Sequence, residues 1–145
     1  MIRFVEFGSY DRLADLMSEM AAKCAPQTDT LPNVPRGVYD LVRQIPFREE
    51  EVETLKAPAV TIRDGGDCDD KTILICAWAI RRGIPCRIIM AGLEKRPNRF
   101  YHVFPELKIS GEWKTFDATY DHCKLGERMK PYDRFQIMKT IGDRA

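Results

Sequence analysis

Three side chains able to carry covalent acyl chemistry follow one another along the chain: Cys68, His102 and Asp117. A thiolate can attack an amide carbonyl. An imidazole can move the proton, and a carboxylate can hold the imidazole in one tautomer and orientation. Cys68 stands in Asp64-Gly-Gly-Asp-Cys-Asp-Asp70. The two glycines permit a sharp entry, and Asp67 is placed to cap a helix whose first turn contains Cys68. Lys71 to Arg82 is apolar nearly all round and reads as a buried helix, stopped by Gly83 with Pro85 beyond. The positive end of that helix lowers the pKa of a thiol placed there. His102 opens a strand-like run to Ile109, and a turn at Ser110-Gly111-Glu112 leads into a second run, Trp113 to Ala118. Two adjacent antiparallel strands put His102 beside Asp117, and the buried helix brings Cys68 to His102.

Each residue also has a plainer role. A free cysteine is often a small buried hydrophobe, as Cys76 and Cys86 read here. Asp69 and Asp70 raise the pKa of a nearby thiol and oppose the helix end, so an active Cys68 needs an imidazolium at His102 to outweigh them. His102 can be a satisfied structural residue, and Asp117 an Asx turn at a strand end. The Cys68 backbone N–H is the first candidate for an oxyanion hole, and no second donor is apparent near Phe47. Asp121-His-Cys123 contains zinc-capable groups, and Asp64, Asp67, Asp69 and Asp70 are calcium-capable, but neither set follows a ligand spacing. No metal or other cofactor is expected. Arg81-Arg82 and the basic residues Lys95, Arg96 and Arg99 read as a helix end and a solvated loop rather than a nucleic-acid face.

The elements around these residues are those of one domain spanning residues 1–145. Apolar content of 44% and charged content of 31% suit a globular protein with a real core, and a net charge of +1 gives no broad pull toward nucleic acid or membrane. The longest apolar run, within Thr72–Ile80, is too short to cross a bilayer, and Met1–Gly8 lacks a signal-peptide core, so cytoplasmic residence is expected. Five cysteines without repeated CxxC spacing read as reduced thiols. Met1–Phe7 alternates imperfectly, as a short strand does. Ser9 caps an amphipathic helix to Lys23, with Leu13, Leu16, Met17 and Met20 on one face. Ala25–Asn33 reads as a loop. Pro35 opens a second helix carrying Val38, Leu41, Val42 and Ile45, which Pro46 ends. Arg48–Glu51 is a charge run, and Pro58 is expected to break whatever precedes it. Cys86–Ala91 is a strand, Gly92–Arg99 a connection framing the site, and Thr119–Met129 irregular. The periodicity of Tyr132–Thr140 fits either a strand or a short helix.

The ordered set Gly-Asp-Cys-Asp-Asp-Lys, Arg-Gly-Ile-Pro-Cys-Arg-Ile-Ile-Met-Ala-Gly, His-Val-Phe and Trp-Lys-Thr-Phe-Asp-Ala-Thr resembles the core of the transglutaminase-like superfamily over Val38–Tyr120. The Gly-Gly-Asp-Cys-Asp-Asp form is similar to small stand-alone members from bacteria and their tailed phages. The resemblance implies an α+β, papain-like arrangement: helices packed on a small antiparallel sheet, with the nucleophile at the N-terminus of the central helix. It implies Cys68, His102 and Asp117 as a catalytic triad acting on an amide of a protein or peptide, with no nucleic-acid or membrane partner. Hydrolysis, deamidation and transamidation share that constellation, and hydrolysis is slightly favoured. Two rival readings remain open. One is a module of the same fold that has lost activity and serves binding or phage assembly, which would make it virion-associated. The other is a reversible thiol sensor.

Overall fold

The computed structural model describes residues 9–49 and 54–143. The expected strand at Met1–Phe7 and part of the Arg48–Glu51 run lie outside them. Helix α1 (Tyr10–Lys23) begins where Ser9 accepts the Arg12 N–H at 3.1 Å, and it buries Leu13, Ala14, Met17 and Ala21. Helix α2 (Pro35–Gln44) has Pro35 in its first turn and buries Val38, Tyr39 and Val42. The stretch expected to be a loop holds a short 3-10 turn, Ala25–Thr28. The Arg82 guanidinium ties that turn down by donating to Thr28 O at 2.9 Å and Leu31 O at 3.3 Å.

Pro58 opens helix α3 (Pro58–Asp64), and part of the stretch that it was expected to break lies outside the described residues. Proline is disruptive only where an N–H is needed. In the first turn that N–H has no intrahelical acceptor, and the fixed φ suits the helix. Helix α4 (Cys68–Arg81) then runs through the middle of the molecule, and every residue from Asp69 to Ala79 is buried. It contacts α1, α2, α3 and the 3-10 turn, as well as strands β1 (Cys86–Gly92) and β2 (Phe100–Ile109). The missing polar face of its sequence is the mark of a helix covered on all sides. Gly83, at φ +72°, ends it: the Ile84 N–H reaches Ala79 O at 2.9 Å and the Gly83 N–H reaches Ile80 O at 3.1 Å.

The sheet has the order β3-β2-β1-β4 and is antiparallel throughout, with β3 at Glu112–Thr115 and β4 at Arg134–Ile141. The undecided C-terminal segment is thus a strand. Cys86, Ile88, Met90, Val103 and Leu107 join the helical core, while Ile89, Ala91 and Phe104 pack on the other side with Tyr132 and Phe135. Among the described residues the architecture is the expected α+β arrangement of helices on a small antiparallel sheet. No helix there is long and apolar enough to cross a membrane.

Candidate active site

The turn ahead of Cys68 is shaped by its glycines. Gly65 has φ +87°, and a Cβ there would lie 2.6 Å from Pro46 O. A Cβ on Gly66 would lie 2.7 Å from the Asp70 Cβ. The same turn is fixed to the chain after α2: Gly66 N–H donates to Pro46 O at 3.2 Å and Arg48 N–H donates to Gly66 O at 3.0 Å. Asp67 and Asp70 then cap α4 reciprocally. The Asp70 N–H donates to Asp67 Oδ1 and the Asp67 N–H to Asp70 Oδ2, both at 3.2 Å. Cys68 is therefore the first residue of the central helix, as expected.

His102 and Asp117 meet as the hairpin spacing predicts, though Asp117 stands just past the end of β3 rather than in it. Ser110 and Gly111 both have positive φ (53° and 81°), which makes the tight turn that sets the β2–β3 register. His102 Nε2 lies 2.6 Å from Asp117 Oδ2, and both side chains are nearly sealed from solvent. Since the carboxylate can only accept, the proton in this contact sits on Nε2, and Nδ1 is left outside it. Asp117 is itself held from three sides. Its Oδ1 accepts the Thr119 N–H at 3.1 Å and the Thr119 hydroxyl at 2.6 Å, and its carbonyl accepts the Tyr39 hydroxyl at 3.0 Å. Burial alone would raise the Asp117 pKa, but the bond and charge of His102 and the two Thr119 donors outweigh it and hold the carboxyl below its ordinary value.

The start of α4 fits where β3 gives out. The Phe116 N–H donates to Pro105 O at 2.9 Å, and beyond that point the backbone of Val103 faces the helix instead of a strand. The Thr72 hydroxyl donates to Cys68 O at 2.7 Å and lies 3.4 Å from Val103 O. The Val103 N–H is directed at the Cys68 sulfur. Cys68 thus abuts the backbone next to His102, half-buried.

The electrostatics of the thiol differ from expectation. The Cys68 pKa is pushed well above its ordinary value, first by burial and then by Asp69 and Asp67, against the smaller pull of the Val103 N–H. The Cys68 thiol donates to Asp69 Oδ1 at 3.6 Å, and among the described residues no hydrogen bond joins sulfur to imidazole. The lowering expected from the helix end is outweighed first by burial of the thiol and then by the full charges within the same turn. Asp70 is a lesser influence than expected. Its carboxyl turns back to accept from Asp67 N–H and from Lys56 N–H at 2.9 Å, and burial with the Asp67 charge raises its own pKa to about 7.

Several neighbours escaped the sequence. Tyr132 stacks on the imidazole (5.7 Å, 12°), as does Phe104 (5.8 Å, 23°). The Tyr120 ring lies against Phe47 at 4.8 Å and His122 at 5.2 Å. Burial, then the influence of Cys68, pushes the Tyr120 hydroxyl up to about 12. The contacts of Tyr132 with His102 and of Tyr120 with Phe47 span too much chain for a local signal. Thr119 was detectable as the third residue of an Asx turn begun by Asp117, and Lys71 as a lone cation in an apolar helix. His122 is exposed and Cys123 buried, and no group of three metal-capable side chains occurs among the described residues. A cavity of about 570 Å³ borders Asp117 on the side of Lys124 and Lys130, and its lining includes neither Cys68 nor His102.

The model of the Transglutaminase-like superfamily matches residues 18–118, a stretch that contains all three candidate residues. The chain belongs to this superfamily. A solved structure similar to this superfamily member is "a Putative Cysteine Protease from Cytophaga hutchinsonii", with 24% identity and a TM-score of 0.48. The match covers 73% of the present chain, which spans only 37% of the length of the other. No curated protein matches.

Proposed function

We propose that this protein is a thiol-dependent amide hydrolase or acyltransferase acting on a protein or peptide, with Cys68 as nucleophile, His102 as general base and acid, and Asp117 orienting His102. The observation that carries this reading is the buried 2.6 Å contact of Asp117 with His102 Nε2, which leaves Nδ1 for chemistry beside the helix start bearing Cys68. With the thiol protonated at rest, the S–H proton passes to Nδ1 as sulfur attacks the carbonyl carbon. The oxyanion meets the Cys68 N–H, one of the N–H groups that a helix start leaves without an intrahelical acceptor. The C–N bond breaks, the imidazolium gives its proton to the leaving amine or ammonia, and a thioester remains. Water, or an amine, then adds to the thioester while giving its proton to His102. The tetrahedral adduct collapses, and the departing sulfur takes that proton back.

The raised thiol and the missing sulfur–imidazole hydrogen bond support a second reading, a silent module of the same fold used for binding or assembly. One experiment separates them. The chain is incubated with glutamine-containing peptides, with and without a fluorescent primary amine, while ammonia release, amine incorporation and backbone cleavage are followed by mass spectrometry. Turnover lost in Cys68→Ala and His102→Ala supports catalysis, and its products choose among the outcomes. No turnover with a labelled, intact Cys68 favours the module.

A further inference from the structure

Lys71 is three residues beyond Cys68 on α4 and only 2% exposed. Its Nζ donates to Ile45 O at 2.6 Å and Thr119 O at 2.8 Å, with Ala118 O at 3.4 Å. Three acceptors match the three N–H bonds of an ammonium, and no carboxylate lies within ion-pair distance among the described residues. Burial lowers its pKa to about 8, against the opposing charges of Cys123, Asp117 and Asp121. A buried cation without a counter-ion is costly, and a hydrocarbon of the same length would avoid that cost only by leaving the carbonyls without their donor. What the hydrocarbon would lack is the ability to hold carbonyls of two distant segments at one point.

Those two segments are the supports of the site. Ile45 leads into Pro46–Arg48, which is hydrogen-bonded to Gly66 in the turn that delivers Cys68. Thr119 supplies both donors that fix Asp117 Oδ1. We propose that Lys71 is a positioning residue: its ammonium clamps the Asp117 turn to the segment behind the Cys68 turn, and so holds the Asp117 carboxylate against His102 Nε2. The inference rests on the catalytic reading above for its consequence in turnover, but not for its geometry.

The test reads the geometry directly. A ring N–H in a 2.6 Å bond to a carboxylate gives a far-downfield proton resonance, measured by NMR on the whole chain. The chain has two histidines, so persistence of the signal in His122→Gln assigns it to His102. In Lys71→Met, confirmed folded by circular dichroism, the signal is expected to move upfield or vanish, and turnover to fall about ten-fold or more. Thr119→Val is expected to do the same from the Asp117 side. If Lys71→Met does not fold, Lys71→Gln, which keeps an N–H donor on a shorter arm, is read instead. A His102 signal absent from the unaltered chain, or unmoved in the variant, overturns the proposal. Failure of both variants to fold makes Lys71 a residue of global folding and overturns it equally. A signal that moves as expected in a protein without any turnover keeps the clamp and refutes the catalytic reading instead.

Discussion

Replacing Asp69 by Asn tests the account of the Cys68 thiol. Sulfur and Asp69 Oδ1 are 3.6 Å apart, and Asp69 is fully buried. Two unit charges at that distance repel by about 1.2 kcal/mol at the dielectric of water and about 4.6 kcal/mol at an effective constant of about 20. Removing the carboxylate charge therefore raises the thiolate fraction at fixed pH by about 7-fold to about 2,000-fold. Thiolates lose nucleophilicity as they lose basicity, with a Brønsted coefficient of about 0.5, so the alkylation rate at pH 7 gains about 3-fold to about 50-fold. The assay is iodoacetamide modification from pH 6 to 10, with Cys68 followed by peptide mapping. In the unaltered chain the rate should climb through neutral pH, with its midpoint above the free-thiol value of about 8.5. In Asp69→Asn the climb should begin at lower pH. Restricted access scales the rate without moving its midpoint, so the midpoint is the quantity to compare. A plateau already present near pH 6 in the unaltered chain, or superimposable midpoints, would refute the electrostatic account.

Three further outcomes follow from the same geometry. Asp117→Asn places an amide against His102 Nε2, frees the imidazole to adopt the wrong tautomer, and should lower turnover by on the order of 10³-fold, measured with any peptide substrate found. Asp70, raised from 3.8 to about 7, binds its proton more tightly folded than unfolded. It therefore stabilises the fold below about pH 4, and that contribution is lost as pH rises toward 7. The loss approaches about 4 kcal/mol as a ceiling. Asp70→Asn should flatten urea-melt stability across pH 4–7, and an unchanged slope would count against it. Tyr39→Phe leaves the buried Asp117 carbonyl without its 3.0 Å donor and should cost about 1–3 kcal/mol by chemical denaturation.

What was legible in the chain was what local chemistry decides. The glycine pair, the Asp67 cap, the apolar run and Gly83 each act within a few residues, so α4 could be placed with Cys68 at its start. The pairing of His102 with Asp117 was readable because a two-residue turn at Ser110–Gly111 sets the register of a hairpin. That Pro58 opens α3 went unread, because the effect of a proline depends on where a helix begins, which the preceding charged stretch did not reveal. The state of the thiol was misjudged for a different reason. Asp69 and Asp70 are adjacent in sequence, but one carboxylate meets the sulfur and the other turns back to the cap, a choice made by packing. Tyr120 and Tyr132 reach the site from a loop without periodicity, so no pattern marked them.

The acidic surroundings of Cys68 do not act uniformly against proton transfer. A carboxylate penalises a thiolate and favours an imidazolium, so its net effect on moving a proton from sulfur to His102 depends on which partner is nearer. Asp117 touches the imidazole at 2.6 Å and favours the transfer, while Asp69 touches the sulfur at 3.6 Å and opposes it. The two substitutions should thus move the Cys68 alkylation rate near neutral pH in opposite directions: Asp69→Asn toward faster reaction, and Asp117→Asn toward slower. If His102 acts on the sulfur, the double variant should be less than additive, because Asp117 is felt through a proton that Asp69 helps to retain. Strict additivity would mean that sulfur and imidazole titrate independently, and would leave the silent module as the better account of this fold.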